Sequence, residues 1–414
     1  MLVEQSYDFP LIPYENLFCD NIDQFVKTFE EIIEDDIERG IKLNFNLPIT
    51  FKHKKVSPIL QLAKPEDIPE LITICKEVYK GTYPYKEMED EEFLKKKILS
   101  SNYHIIKFLD VKGNIIGCFK CILDFEQKKG YMGGFMLRSQ YQKKIDVVKA
   151  IIGSYLWMWN TFKDKILVWY CENRTAQSTS QFMTSICGIK PIAFFPNKDI
   201  FYNNIESDVM GITYVEKVLK EQRSKKIPSI IPQALNCFIY SDNRYNLGRI
   251  KLIEPKIELN SDLMLNLKQK IRTKVKEIVY NNEVTYKKIK FYYKGSTSFF
   301  SFLYTPQIQN FEKTKYCVKN LEELEVFILL FIKCAKRLMI RYLEVLISAY
   351  EPTHQKLFNK YGLAARGYIP CWKYKKNTDT FDDYIVFNYF NGKLNESVEL
   401  IPETEDLLRF IGLI

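Results

Sequence analysis

Histidine is nearly missing from this chain: His53, His104 and His354 are the only three in 414 residues, which leaves few options for histidine-based nucleophilic chemistry. Long hydrophobic runs are missing as well. The most apolar stretch, Val326 to Ile332, lies between Glu325 and Lys333, far short of the ~20 residues that cross a bilayer. It reads as a buried helix, and no membrane is expected as a partner. Met1 to Tyr14 carries Glu4, Asp8 and two prolines, with neither a basic start nor an apolar core, so a secretory signal is not expected. There is no Walker loop and no dinucleotide fingerprint. Cys118 and Cys121 have the spacing of a metal knuckle, but they fall in an expected strand, where residues three apart face opposite ways, and no second pair follows. No metal site is expected.

At 414 residues, 46% of them hydrophobic, the chain can build two ordinary cores, since single cores stop growing near ~250–300 residues. Lys+Arg exceed Asp+Glu by 60 to 51, an excess spread along the sequence rather than gathered in a tail, so a nucleic-acid partner is not indicated. Ten cysteines at irregular spacings suit reduced thiols and a cytoplasmic location better than a disulfide framework.

The chain also repeats itself. Gln181–Pro196 lies without gaps on Gln355–Pro370: Gly188 meets Gly362, Ile189 meets Leu363, Phe194 meets Tyr368, and the prolines coincide. Each copy reads as a helix stopped by glycine and a strand stopped by proline. Asp208–Tyr214 parallels Asp383–Tyr389, both β-favouring. A hairpin turning at Lys112-Gly-Asn114 has its counterpart at Lys294-Gly-Ser296. Three matches in one order predict a duplication, with an N-terminal extension over 1–57, a first unit over 58–214, a connecting helix and linker over 215–236, and a second unit over 237–414.

Within the first unit the patterns predict an amphipathic helix over Lys64–Tyr79 with Asp67 as its cap, and a hairpin over 104–123. They continue with a strand at Gly130–Leu137, a long helix from about Tyr141 to Phe162 and an apolar strand at Ile166–Cys171. The fold class is α/β with mixed α+β layering: two tandem units, each a mixed, mostly antiparallel sheet flanked by helices.

Three segments resemble the GNAT acyltransferases. Phe135-Met-Leu-Arg-Ser-Gln-Tyr-Gln142 resembles the end of that family's central strand and its approach loop, Asn173 with Ala176 resembles its asparagine segment, and Gly188-Ile-Lys-Pro-Ile-Ala193 resembles its Gly-Phe-x-Pro ending. The resemblance implies two GNAT-like domains and an N-acyltransferase that uses acetyl-CoA or another acyl-CoA. The acceptor would be an amine-bearing small molecule or protein, with room for a protein partner. It places cofactor contacts at Phe135, Met136, Leu137, Gln142, Lys143, Lys144 and Asn173. The family's phosphate loop has glycines so that backbone N–H groups reach the pyrophosphate. Here Ile145 and Val147 stand at those positions, and only the charges of Lys143 and Lys144 remain. The family's acidic tyrosine corresponds to Thr184, a far weaker acid; Tyr131 and Glu172 are the other catalytic candidates. Tyr83 and Tyr85, in the loop after the first helix, are candidates for acceptor binding or for stapling that loop to the core. Two alternatives stand beside acyl transfer: a non-catalytic binding or assembly subunit, and a tandem transferase using another donor such as an aminoacyl-tRNA.

Overall fold

The computed structural model describes residues 9–30, 36–48 and 55–414; Met1–Asp8 and His53 lie outside the described residues. The chain forms two compact units, the first of Met1–Asn173, Ser178–Lys190 and Gly211–Lys220, the second of Arg174–Gln177, Pro191–Met210 and Glu221–Ile414. Both are mixed α/β, with mostly antiparallel strands flanked by helices. Among the described residues no helix is long and apolar enough to cross a membrane.

The first unit runs α1 (Ile22–Phe29), β1 (Ile41–Lys42), β2 (Ile59–Leu62), α2 (Ile68–Tyr79), α3 (Glu91–Ile98), β3 (Tyr103–Leu109), β4 (Ile115–Asp124), β5 (Lys129–Leu137), α4 (Val147–Phe162), β6 (Val168–Arg174) and α5 (Thr179–Ile186). The chain then runs through the hairpin β7 (Lys190–Phe201) and β8 (Asn204–Tyr214), of which Pro191–Met210 belong to the second unit, and on to α6 (Glu216–Lys220) in the first. Strands β1 to β5 are neighbours in sequence order and antiparallel, whereas β6 joins β5 parallel after the crossover through α4. Helix α4 is apolar almost all round, which suits a helix covered on every side. Its Tyr155 and Trp159 stack, Phe25 of α1 meets Trp159 edge-on, and Gly153 lets Leu43 and Leu60 in where a Cβ would clash. Phe25 and Leu43, both ahead of β2, are thus part of this core.

Two details differ from the sequence reading. Helix α4 begins at Val147 rather than near Tyr141, because Asp146 caps it by accepting from the Lys149 N–H and the preceding loop is pinned by backbone bonds to Val56. Asp67 does not cap α2. Its carboxylate instead takes the Lys64 N–H and the Lys107 ammonium, each at 2.7 Å.

The second unit contains β9 (Ser229–Ile230), α7 (Leu235–Tyr245), β10 (Lys251–Leu252), α8 (Ser261–Lys270), β11 (Ile271–Tyr280), β12 (Glu283–Tyr293), β13 (Phe299–Thr305) and β14 (Asn310–Cys317). It continues with α9 (Leu321–Arg337), β15 (Tyr342–Ser348), α10 (Pro352–Lys360), β16 (Ala364–Lys375), β17 (Thr380–Phe390) and α11 (Pro402–Phe410). Its sheet order is β7-β16-β17-β15-β14-β13-β12-β11, and only β14 and β15 pair parallel there. Phe291, Phe300, Phe302 and Phe311 pack beneath Phe327 and Phe331 of α9.

The two glycines aligned in the sequence do the same job. Gly188 (φ +73°) ends α5 and Gly362 (φ +88°) ends α10. In both, the next residue donates back five positions, Ile189 to Thr184 O at 3.1 Å and Leu363 to Phe358 O at 3.2 Å, as in a Schellman ending. The prolines differ from expectation, since Pro196 and Pro370 lie inside β7 and β16 rather than at their ends. Each is followed by a left-handed residue, Asn197 (φ 52°) and Cys371 (φ 54°). In β16 the register to β17 shifts just there, so proline's missing N–H falls where the ladder is already broken.

Candidate functional site

The centre of the first unit is a parallel pair that comes apart. Strands β5 and β6 pair from Lys129↔Val168 to Met132↔Cys171 and no further. Beyond that point β5 stays on β4 through a bulge, with Lys120 opposite Gly133, Cys118 opposite Met136 and Gly117 opposite Leu137. Gly134 takes φ +62°, and a side chain there would strike the buried Lys120 stem at about 3.0 Å. The bulge swings the end of β5 away from β6. A wedge opens between Gly133–Leu137 and Glu172–Asn173, and the β6-facing edge of β5 has no ladder partner there among the described residues.

Phe135, Met136 and Leu137 form one wall; Phe135 is half-buried against Phe108 and Phe119, and Met136 and Leu137 are buried. Asn173 stands on the other wall. Its Nδ2 donates to the Thr184 hydroxyl at 2.9 Å, which donates in turn to the carbonyl of Gln181 (2.9 Å) or Ser180 (3.1 Å). These two residues, eleven apart in sequence, are therefore one unit of structure. The threonine hydroxyl thus accepts from the strand end and donates into the helix backbone. Gly211 makes room beneath: a Cβ there would lie 2.7 Å from Ile189 Cγ2 and 3.7 Å from Asn173 Nδ2.

Tyr131 lies against the Tyr170 ring (5.3 Å) and over Gly133, where a Cβ would come 2.9 Å from its hydroxyl. Tyr83 is buried between Tyr79 (4.4 Å) and Tyr85 (5.6 Å). Burial above all, then the charges of Tyr79, Glu87 and Tyr131, hold its phenol far above the ordinary range, so Tyr83 stays protonated. Tyr85 is the more exposed of the two. Glu172 is half-buried on β6.

The approach loop is built differently from the wall. Gln142, Lys143 and Lys144 are exposed, and the Lys144 carbonyl is taken by the Val56 N–H. At the α4 N-terminus, where a phosphate would be stabilised by the dipole, stands the buried carboxylate of Asp146. Arg138 is drawn the other way, to Glu70 and, at 3.2 Å, to Glu77 on α2. The wall thus offers an open strand edge, whereas the approach loop presents a buried carboxylate and two exposed lysines. Asp146 was not singled out by the sequence reading; aspartate directly before a run of helix-period apolar residues is the signal that would have found it.

In the second unit, β14 and β15 pair only over Asn310↔Tyr342 and Phe311↔Leu343 before parting. The space beyond is filled: Tyr316 packs on Phe300 and Phe358, and its hydroxyl lies 3.3 Å from His354 Nδ1. Helix α9 is closed by a reciprocal cap, in which Asn320 accepts from the Glu323 N–H and the Glu323 carboxylate from the Lys319 N–H.

No family model matches the chain, and no curated protein matches it. Solved structures similar to part of it include a dodecameric spermidine N-acetyltransferase from Vibrio cholerae, at 13% identity over 38% of this chain and 94% of that one, with a TM-score of 0.33. A spermidine/spermine N-acetyltransferase from Vibrio cholerae in complex with manganese ions is 13% identical over 39% of this chain and 94% of its own, with a TM-score of 0.32. At such identity, activity has to be read from the residues themselves.

Proposed function

We propose that the first unit is an N-acyltransferase module of the GNAT kind, receiving an acyl thioester in the β5/β6 wedge and passing the acyl group to an amine. One observation carries this reading: an unpaired strand edge, Gly133–Leu137, faces a buried and oriented asparagine across a gap made by a bulge. That edge offers N–H and C=O groups to an extended, amide-bearing chain as an added strand would find them. Acyl transfer to a neutral amine needs mainly positioning and hydrogen bonds to the thioester oxygen, which suits a wedge with little acid–base machinery. Tyr131 and Glu172 are the side chains that could move a proton there, and Tyr85 that could meet an acceptor.

A second reading, a GNAT-like module that binds without transfer, is favoured by the Asp146 cap and the committed Thr184 proton. Calorimetry of the whole chain with acetyl-CoA and with acetyl-pantetheine, followed by thiol release with a panel of primary amines, separates the two. The transferase reading expects the two donors to bind within about threefold of each other, since the phosphate end gains little from exposed lysines, and expects amine-dependent thiol release. Binding without release gives the second reading, and no binding of either donor removes both.

A further inference from the structure

The sequence spreads its positive charge, but the second unit's sheet gathers it. Along β11, Arg272, Lys274 and Lys276 alternate with Thr273 and Val275 and so share one face. Their cross-strand partners on β12 are Tyr292, Lys290 and Lys288. Those residues in turn face Phe299, Ser301 and Leu303 on β13, and Phe299 and Ser301 face Cys317 and Lys315 on β14. Three rows result across four strands. One holds Arg272, Tyr292 and Phe299, the next Lys274, Lys290 and Lys315, the third Lys276, Lys288 and Leu303 and, on β14, Glu312, whose carboxylate is buried and lies 3.9 Å from the Lys198 ammonium. Rows are about 6.8 Å apart and strands about 4.8 Å.

Among the described residues none of the six cations is paired with a carboxylate. Glu277, the acid nearest in sequence, lies on the opposite face and holds Lys287 at 3.1 Å. Arg272, Lys274, Lys276, Lys288 and Lys315 are exposed, while Lys290 and the two rings are half-buried. Lys290 sits over the Phe299 ring at 4.6 Å. Lys274 against Lys290 and Lys276 against Lys288 are like charges directly opposite, an arrangement that destabilises a ribbon. A polyanion on this face would relieve it.

We propose that this face of β11–β14 binds single-stranded nucleic acid, phosphates on the lysine rows and bases against Tyr292 and Phe299. The aromatic row decides the class of partner. A bilayer surface needs charge alone, and a duplex hides its bases, whereas half-buried rings beside cations on an open sheet offer stacking to about two unpaired bases. The inference is independent of the wedge in the first unit.

The test is fluorescence anisotropy of the full chain with labelled eight-nucleotide oligo(U), across a salt series. Neutralising about three or four phosphates gives a log–log salt slope near −2 to −3. The double variant Lys274→Gln/Lys290→Gln should weaken binding at least tenfold and flatten the slope by about 1.4. It should melt no lower than the parent, since it removes a repulsion. Tyr292→Leu, with every charge in place, should weaken binding at least fivefold and leave the slope unchanged. The proposal is overturned if oligo(U) does not bind at low salt or if the lysine variant binds as well as the parent. It is also overturned if Tyr292→Leu has no effect, which would make the face a general polyanion surface, or if phosphatidylserine vesicles bind and the oligonucleotide does not.

Discussion

Replacing Thr184 by valine is the sharpest perturbation of the wedge. The side chain keeps its shape but loses the oxygen that accepts from Asn173 Nδ2 at 2.9 Å. Both residues are buried, at 6% and 8% exposure, so water cannot fully replace the acceptor, and stranding a buried donor costs about 1–3 kcal/mol. The hydroxyl's own donation to helix carbonyls is dispensable, because those carbonyls belong to an intact α5. Thr184→Val should therefore cost about 1–2 kcal/mol, and Thr184→Ser, which keeps the oxygen, less. Pairing Thr184→Val with Asn173→Leu removes donor and acceptor together, and the double variant should be more stable than the sum of the singles by at least about 1 kcal/mol. Urea denaturation followed by tryptophan fluorescence reads this directly, as Trp157, Trp159 and Trp169 all lie in the first unit. Under the proposed function, acetyl-pantetheine affinity should fall with Thr184→Val and recover in Thr184→Ser. A Thr184→Val variant within about 0.3 kcal/mol of the parent, or strict additivity with Asn173→Leu, would refute the coupling.

Other expectations concern the second unit. Asp383 is fully buried and accepts from Arg223 (2.6 Å), Tyr368 (2.6 Å) and the Cys371 N–H (2.9 Å); Asp383→Ala should cost about 3–5 kcal/mol by stranding a half-buried guanidinium, read by scanning calorimetry, with Tyr368→Phe costing far less. A Cβ on Gly367 would lie 2.3 Å from Ala193 Cβ and 2.5 Å from Ile192 O, so Gly367→Ala should lower the melting temperature by several degrees, whereas Gly392→Ala, in open space at φ +84°, should cost only about 1 kcal/mol. Burial holds the His354 imidazole below its ordinary 6.5 against the opposing charge of Glu351. The fold favours the neutral ring, so its contribution is complete above pH 6.5 and is lost as pH falls below it. Urea midpoints at pH 7.5 and 5.5 should differ in that sense, and His354→Gln should shrink the difference.

What the sequence made legible were features fixed locally. Glycine after a helix-period run, as at Gly188 and Gly362, and glycine-asparagine turns mark the backbone whatever surrounds them. The order helix, hairpin, strand, helix, strand followed for the same reason. The prolines misled because Pro196 and Pro370 are excused from the ladder by a left-handed neighbour, Asn197 or Cys371, whose conformation has no signature in the local pattern. The Asn173–Thr184 bond joins a strand end to a helix interior and needs the fold before it can be seen. Strand β11 was passed over, although Asn281 and Asn282, both at positive φ, sit between β-branched and aromatic runs as a hairpin turn would. Its lysines look scattered in sequence; only the registers with β12 and β13 gather them.

The pairing of Gly367 with Ala193 joins residues 174 positions apart. On a ribosome adding roughly 5–20 residues per second, Ala193 emerges about 9–35 s before Gly367 exists to lie against it. Through that interval β7 presents an apolar edge, Ile192-Ala-Phe-Phe195, with nothing to pair with, which is the kind of nascent segment that recruits chaperones or captures a neighbouring chain. Slower translation between those points would lengthen the exposure, so yield in cells should respond to codon choice across residues 194–366 far more than to codon choice after the sheet has closed.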